Sequence, residues 1–390
     1  MQCKNILLSF FLLSAISLTV LAKQPVAWSG VGQGNSRAEE LAQQSIAAKS
    51  AMQYIRKNIL EIKRRSLRTQ LLGFIDNPAP TYQLRAVTLE EKKAVLEELR
   101  KANLVPETTN VEGIYPPVAD PKRGAQSFLA APGSYYSASY TSAGHHSYPG
   151  GLPIHTALNL RVGLAMLRNY KLQYTNSQIS PTFLLSSDVV VSAIILHDVM
   201  KTLVFQWNDD GSQFLEQQVG TTGTHHVLGL AEQFCRNFPP EVIIATASAH
   251  NPPRPGELRK KVVAYLRAAA IIARVDPIKY GVLVETDLGE YDLTLPALAE
   301  HFIVHLSDAD YFYSEHAAAT VVDRIRLLAE KELGWSKAET TGAKFNWLRN
   351  TFLSMSTGIA AYQVIIEKGE DRKLLPLLKI AVRKSERLYQ

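Results

Sequence analysis

The chain has 390 residues, 46% of them apolar, and 42 Lys and Arg against 36 Asp and Glu give a formal charge of +6. The apolar share is enough to bury a large core, while so mild a positive balance suits an anionic substrate and plain solubility equally well. Of two cysteines, Cys3 lies in the leader described next, so Cys235 is left alone and an intramolecular disulfide in the mature chain is excluded.

Lys4 precedes an apolar run from Ile6 to Leu21, ending Val20-Leu21-Ala22 and followed by Lys23-Gln24-Pro25. The run is short for a membrane span and has no stop-transfer cluster after it, so it reads as a signal peptide cleaved after Ala22. A periplasmic or secreted protein with no membrane span after cleavage is expected.

From Ser36 to about Leu72, apolar positions such as Leu41, Ile46, Met52, Ile55, Ile59 and Ile62 recur at helical spacing and predict one long helix or two. Asn77-Pro78-Ala79-Pro80 stops this pattern, and Thr88 with Glu91 opens another helix as a capping box. Residues 104–150, rich in Pro, Gly, Ser and Tyr, read as a long loop. Its Tyr135, Tyr136 and Tyr140 fit packing under the loop better than stacking on a base or sugar.

Helical patterns return at 152–170, 183–204, 225–237, 240–249 and 258–275, and again after Pro296. Val204–Trp207 and Gln213–Leu215, either side of Asn208-Asp209-Asp210-Gly211, predict a small β-hairpin. The basic tail from Lys373 to Arg387 fits a solvated helix face better than a nucleic-acid contact.

Six of the ten histidines fall between 145 and 226. Pro153 suits the first turn of a helix on which His155 shares a face with Leu158, Val162 and Met166. The almost wholly apolar run Val189–Leu196 ends directly in His197-Asp198, where an ionised carboxylate taken out of water without a cation would cost several kcal/mol. A metal ion removes that cost. His226, His250 and Asp276 each close or join a further apolar stretch, so five helical segments each deliver one polar ligand type from apolar surroundings.

The ordered set His155, His197-Asp198, His226, His250, Asp276 resembles the HD-domain metal-dependent phosphohydrolases. The run His145-His146-Ser147-Tyr148-Pro149-Gly150-Gly151-Leu152-Pro153-Ile154-His155, with Leu196-His197-Asp198-Val199-Met200-Lys201, is similar to the subgroup of exoribonucleases and relaxase-associated domains. Met200 departs from the usual Gly, and His250 stands alone where many members have His-His. The resemblance spans about residues 145–280. Gly229, three residues after His226, favours His226 over its neighbour His225 as ligand. His301, His305 and Asp308 have a spacing that would suit a second metal site, but no buried helix precedes them and a solvated face fits better.

The resemblance implies an all-α fold, an HD helical bundle over 131–290 with the small hairpin as an insertion and helical regions over 23–130 and 291–390 either side, after the leader of 1–22. It implies two divalent transition-metal ions (Mn, Fe, Ni or Zn) held by His155, His197, Asp198, His226, His250 and Asp276. Asp198 would bridge them, and Lys201, His145 and His146 would contact the substrate. The activity implied is hydrolysis of phosphate mono- or diesters by a metal-activated hydroxide, with a small phosphorylated molecule or an oligonucleotide as substrate. Two other readings of the same ligands are an HD-fold di-iron oxygenase acting on a polyol or phosphonate, and a degenerate HD binding module.

Overall fold

The computed structural model describes residues 31–118, 120–136, 144–175, 178, 184–368 and 371–389. The leader expected at 1–22, and Tyr140, lie outside these residues.

The first helical stretch is divided into three, α1 (Asn35–Gln44), α2 (Ile46–Leu60) and α3 (Arg65–Asp76). Ser45 makes the first break because it turns extended and caps α2, its hydroxyl accepting from Ala48 N at 3.3 Å. A 3₁₀ turn, Thr81–Arg85, follows the prolines, and α4 (Leu89–Lys101) starts with the Thr88–Glu91 capping box that its sequence announces. A single turn, α5 (Val111–Ile114), precedes the long α6 (Gly151–Tyr174).

The chain then forms α7 (Ser187–Leu196), buried from Val189 onward, and after the turn at His197-Asp198 the single turn α8 (Lys201–Val204). The hairpin expected at 204–215 is not there. Val204 ends α8, and the following residues make a tight reversal in which Asn208 N donates to Ser212 O at 2.9 Å. Burial decides this, because Trp207 is fully enclosed with its ring 6.4 Å from that of Trp347. Two short antiparallel hairpins occur later in the chain. One pairs β1 (Gln218–Val219) with β2 (Thr222–Gly223), and the other pairs β3 (Leu283–Glu285) with β4 (Tyr291–Leu293).

Between the hairpins lie α9 (Thr224–Cys235), α10 (Pro240–Ala247), α11 (Glu257–Ala273) and the turn α12 (Pro277–Tyr280). After them come α13 (Ala299–Ser307), α14 (Tyr311–Leu333), α15 (Ala343–Ser356), α16 (Gly358–Lys368) and α17 (Leu375–Tyr389). The fold is all-α with small β additions. No helix among the described residues is long and apolar enough to cross a membrane.

One apolar core runs from Ala51 to Val304, built where α2 and α7 cover α6, α9 packs on α11, and α10 and α13 close over α7. It draws on residues either side of 130 and 290. A second core joins Tyr148 to α14, α15, α16 and α17. The turn at 144–150 therefore sits between the two cores, tied to the 131–133 strand of loop by Gly133 N to His146 O at 2.8 Å and Leu152 N to Ala131 O at 2.9 Å.

Gly151 makes that turn possible, since a Cβ there would lie 1.8 Å from the carbonyl oxygen of His146. Gly151→Ala should push the turn off α6 and destabilise the protein by about 1–3 kcal/mol, the scale of overpacking. Gly73 in α3 meets nothing within 4 Å, so Gly73→Ala should instead add roughly 0.5–1 kcal/mol. Urea unfolding of the two variants checks both signs.

Candidate metal centre

The ends of five helices converge on a single buried point. The apolar α7 delivers His197 and Asp198 at its C-terminus, α6 carries His155 one turn in, α9 opens with His225 and His226, His250 follows α10, and Asp308 follows α13. Around Asp198 the groups divide into two sets. Oδ2 lies 3.1 Å from His155 Nε2 and 3.2 Å from His197 Nε2, while Oδ1 lies 3.2 Å from His225 Nε2. Asp308 Oδ1 closes the first set, 3.0 Å from His155 Nε2 and 3.4 Å from His197 Nε2.

Potential ligand atoms of His155, His197, Asp198 and Asp308 all lie within 4.8 Å of one another, as do those of Asp198, His225 and His250, with Asp198 common to both groups. A third group within the same limit, His146, His155 and Asp310, shares His155 with the first.

The outer nitrogen is held on three of the inward-facing imidazoles, whereas His155 Nδ1 is buried without a partner. His197 Nδ1 lies 2.7 Å from Ile194 O, His225 Nδ1 2.7 Å from Glu216 Oε2, and His250 Nδ1 2.8 Å from Thr222 Oγ1. Partners of this kind fix the ring and its tautomer so that the other nitrogen offers a lone pair. The β1–β2 hairpin has a function here, because it brings Thr222 to His250. Asn159, one turn beyond His155, donates at 3.1 Å to Asp308 Oδ1 and lies at the same distance from His155 Nε2.

The electrostatics are set by burial and by the two carboxylates. Burial pushes every imidazole towards neutrality, and His145, His226 and His250 remain so, His226 held down to about 3. The carboxylates overcome burial for three others. Asp198 and Asp308 raise His155 and raise His197 to about 10, and Glu216 with Asp198 raises His225. Burial also opposes ionisation of the acids, yet His197 and Lys201 hold Asp198, and His197 and His155 hold Asp308, well below the usual carboxylate range.

Three of the converging atoms, His197 Nε2, Asp198 Oδ1 and His225 Nε2, are buried without a hydrogen bond although their neighbours are within ion-pair range. Lone pairs that face a common point rather than one another fit metal ligation, and imidazole with carboxylate is a donor set for divalent transition metals. The buried His/Asp groups can hold metal ions.

Set beside the sequence expectations, His155, His197, Asp198 and His250 come together. His226 is in none of the groups whose ligand atoms lie within 4.8 Å of one another. Its ring lies flat on His250 at 4.1 Å and its Nε2 is 3.3 Å from Ala247 O, so the neighbouring His225 takes the place beside Asp198. Gly229, which favoured His226, has a different use: a Cβ there would sit 3.6 Å from Leu196 O, so the residue lets α9 approach the end of α7.

Asp276 is also not brought to the cluster. Arg274 adopts a left-handed conformation (φ 55°) that ends α11, Pro277 starts α12, and Asp276 caps it, accepting from Ile278 N at 2.9 Å and Lys279 N at 3.2 Å. Its carboxylate lines an outer cleft with Glu98, Arg267 and Tyr291. The acid that lies within range of His155, His197 and Asp198 is Asp308, and its signal was the same as that of Asp198, a carboxylate placed just after a helix with a buried face. His301 and His305 turn elsewhere. His301 Nδ1 accepts from Leu298 N at 3.2 Å, and His305 Nδ1 lies 2.7 Å from Ala249 O.

Lys201 does not reach outward. Its ammonium donates at 2.6 Å to both Asp198 Oδ2 and Gly133 O, which makes it a partner of the central carboxylate rather than an exposed anion contact. His146 Nε2 lies 3.2 Å from Asp310 Oδ2 and its Nδ1 3.2 Å from Tyr148 Oη, while the His145 ring stands 4.9 Å from that of His155. Residue choice alone gave no signal for Glu216, Asn159 or Asp310, which are separated from the ligands in sequence or lie in segments of ordinary composition.

A stretch of 124 residues, 31% of the chain, is 30% identical to the dihydroneopterin 2′,3′-cyclic phosphate phosphodiesterase of Methanocaldococcus jannaschii. The chain shares part of its length with a phosphodiesterase. The match spans 46% of that enzyme, under half its length. No family model matches the chain, and no solved structure matches it.

Metal analysis separates this centre from the sequence-derived ligand set. Asp308→Ala and His225→Ala should each lower metal affinity at least ~10-fold, as loss of even an outer-shell partner does. Asp276→Ala should retain full metal content.

Proposed function

We propose that the protein is an HD-type metal-dependent phosphodiesterase with two divalent ions sharing Asp198. The observation that carries this reading is the division of the Asp198 oxygens between two sets of nitrogen ligands, Oδ2 with His155 and His197 and Oδ1 with His225. His155, His197, Asp198 and Asp308 would hold one ion, and Asp198, His225 and His250 the other. Ions bound there would act as Lewis acids on a phosphoryl oxygen and lower the pKa of a water towards neutrality. Partial similarity to a phosphodiesterase supports hydrolysis over dioxygen chemistry, and the cyclic phosphate named for that relative makes 2′,3′-cyclic phosphates the first substrates to test.

The chain's own residues then position and exclude. Lys201 holds Asp198 in place through Oδ2 and ties it to the 133 loop. Glu216 and Thr222 keep His225 and His250 aimed inward. His145 and His146, both pushed towards the neutral form by burial, line the side nearest Asp310 as hydrogen-bonding groups rather than cations. The walls of α7 and α10 keep bulk water away, which strengthens every charge interaction inside.

With metal-loaded protein, a 2′,3′-cyclic nucleotide and a generic diester chromogen should both be hydrolysed, and Asp198→Ala should lose at least ~10³-fold in kcat, the scale of removing a key electrostatic group. Failure of every ester tested, or dioxygen consumption in its place, would overturn the assignment. The reading includes export through residues 1–22. Protein recovered from the producing cells should be outside the cytoplasm with Lys23 as its first residue, and cytosolic protein that retains Met1 would contradict it.

A further inference from the structure

Three consecutive aromatic residues, Tyr311, Phe312 and Tyr313, begin α14 directly after Asp308-Ala309-Asp310, and they are 38%, 71% and 45% exposed. None belongs to either apolar core. Exposed rings clustered in this way mark contact surfaces more often than packing. Their place in the fold says which contact. The Tyr311 ring is 6.1 Å from that of His145, and His145 is 4.9 Å from His155, so a line of rings leads from a ligand of the metal centre to the surface. Phe312 lies nearly parallel behind Tyr311, with centroids 4.1 Å apart.

Part of the centre's exposure falls on the same side, the rest being at His250 and Glu216. His155, His197 and Asp198 are sealed, whereas the Asp308 and Asp310 side chains, which flank these rings in sequence, retain 17% and 15% exposure. A substrate whose phosphate reaches the centre past Asp308 therefore passes the face of Tyr311.

We propose that Tyr311, braced from behind by Phe312, is a stacking platform for a planar aromatic base carried by the substrate, so that the enzyme acts on base-bearing phosphate esters in preference to base-free ones. This deepens the phosphodiesterase reading and rests on it for the position of the phosphate. Stacking accepts any flat heterocycle, because each has a π-face, and it discriminates against a substrate with none.

The test is equilibrium binding, which does not depend on turnover. Adenosine 3′-phosphate and glycerol 2-phosphate are titrated calorimetrically into metal-loaded protein. Wild type should bind the adenosine compound roughly 5- to 150-fold more tightly, the range expected for one stacked base. Tyr311→Ala should bring the ratio to within about 2-fold, Tyr311→Phe should keep it, and Phe312→Ala should reduce it in part. Metal content of each variant confirms an intact centre. Equal affinity in wild type, binding of neither compound, or a preference that survives Tyr311→Ala overturns the platform. The outcomes are separable, since a preference in binding without hydrolysis of any ester would leave the platform standing and remove the phosphodiesterase assignment.

Discussion

Asp198 occupies a position where an unpartnered carboxylate would be unstable, at the end of a helix buried from Val189 to Leu196 and out of contact with water. Placing a charge there costs several kcal/mol unless cations and donors surround it. Much of the fold can be understood as the means of surrounding it. Lys201 comes from the next turn of the same segment, His155 from α6, His225 from α9, and His197 with Asp308 completes the enclosure. A second, partly enclosed carboxylate, Asp308, deepens the same field, and together the two acids overcome burial to charge imidazoles that would otherwise be neutral. That excess of ligand atoms over mutual hydrogen bonds is what a divalent ion would resolve.

The supporting parts are small and distant in sequence. Gly151 permits the 144–150 turn to pass under α6 because no Cβ projects there. The β1–β2 hairpin reaches back to His250 through Thr222, and Glu216 just before it secures His225 both by ring and by backbone, its Oε2 accepting from His225 N at 3.0 Å. These are the outer partners that orient ligands and set their basicity. The hairpin thus acts less as sheet than as a bracket.

Much of the centre was legible in the sequence, and the reasons for the rest are specific. A histidine on an apolar helical face and a His-Asp doublet after a buried run both signal a charge that needs a partner, so His155, His197 and Asp198 stood out. The choice between His225 and His226 did not follow from composition, because adjacent residues on a helix point about 100° apart and only the docking of α9 decides which faces inward. Asp276 was misleading for a local reason. An acid before Pro277 is as good a helix cap as it is a ligand, and the left-handed Arg274 turns the chain so that capping is what it does. Asp308 carried the right signal, but in company with His301 and His305, whose spacing suggested a site of their own. For the fold, the limits of α6, α9, α10 and α11 followed closely from periodicity, while the break at Ser45 and the reversal at Asn208 depended on side chains that cap or bury against distant partners, Trp347 among them.

The central claim is that Asp198 is shared by two ion sites, one completed by His155, His197 and Asp308 and the other by His225 and His250. Anomalous X-ray diffraction from crystals of metal-loaded protein, recorded at the absorption edge of the bound metal, tests it most directly. The account predicts two peaks about 3.5–4 Å apart, the separation of dinuclear hydrolytic centres, on either side of the Asp198 carboxylate. A peak at Asp276, or loaded ions that leave Asp198 paired only with Lys201, would contradict it.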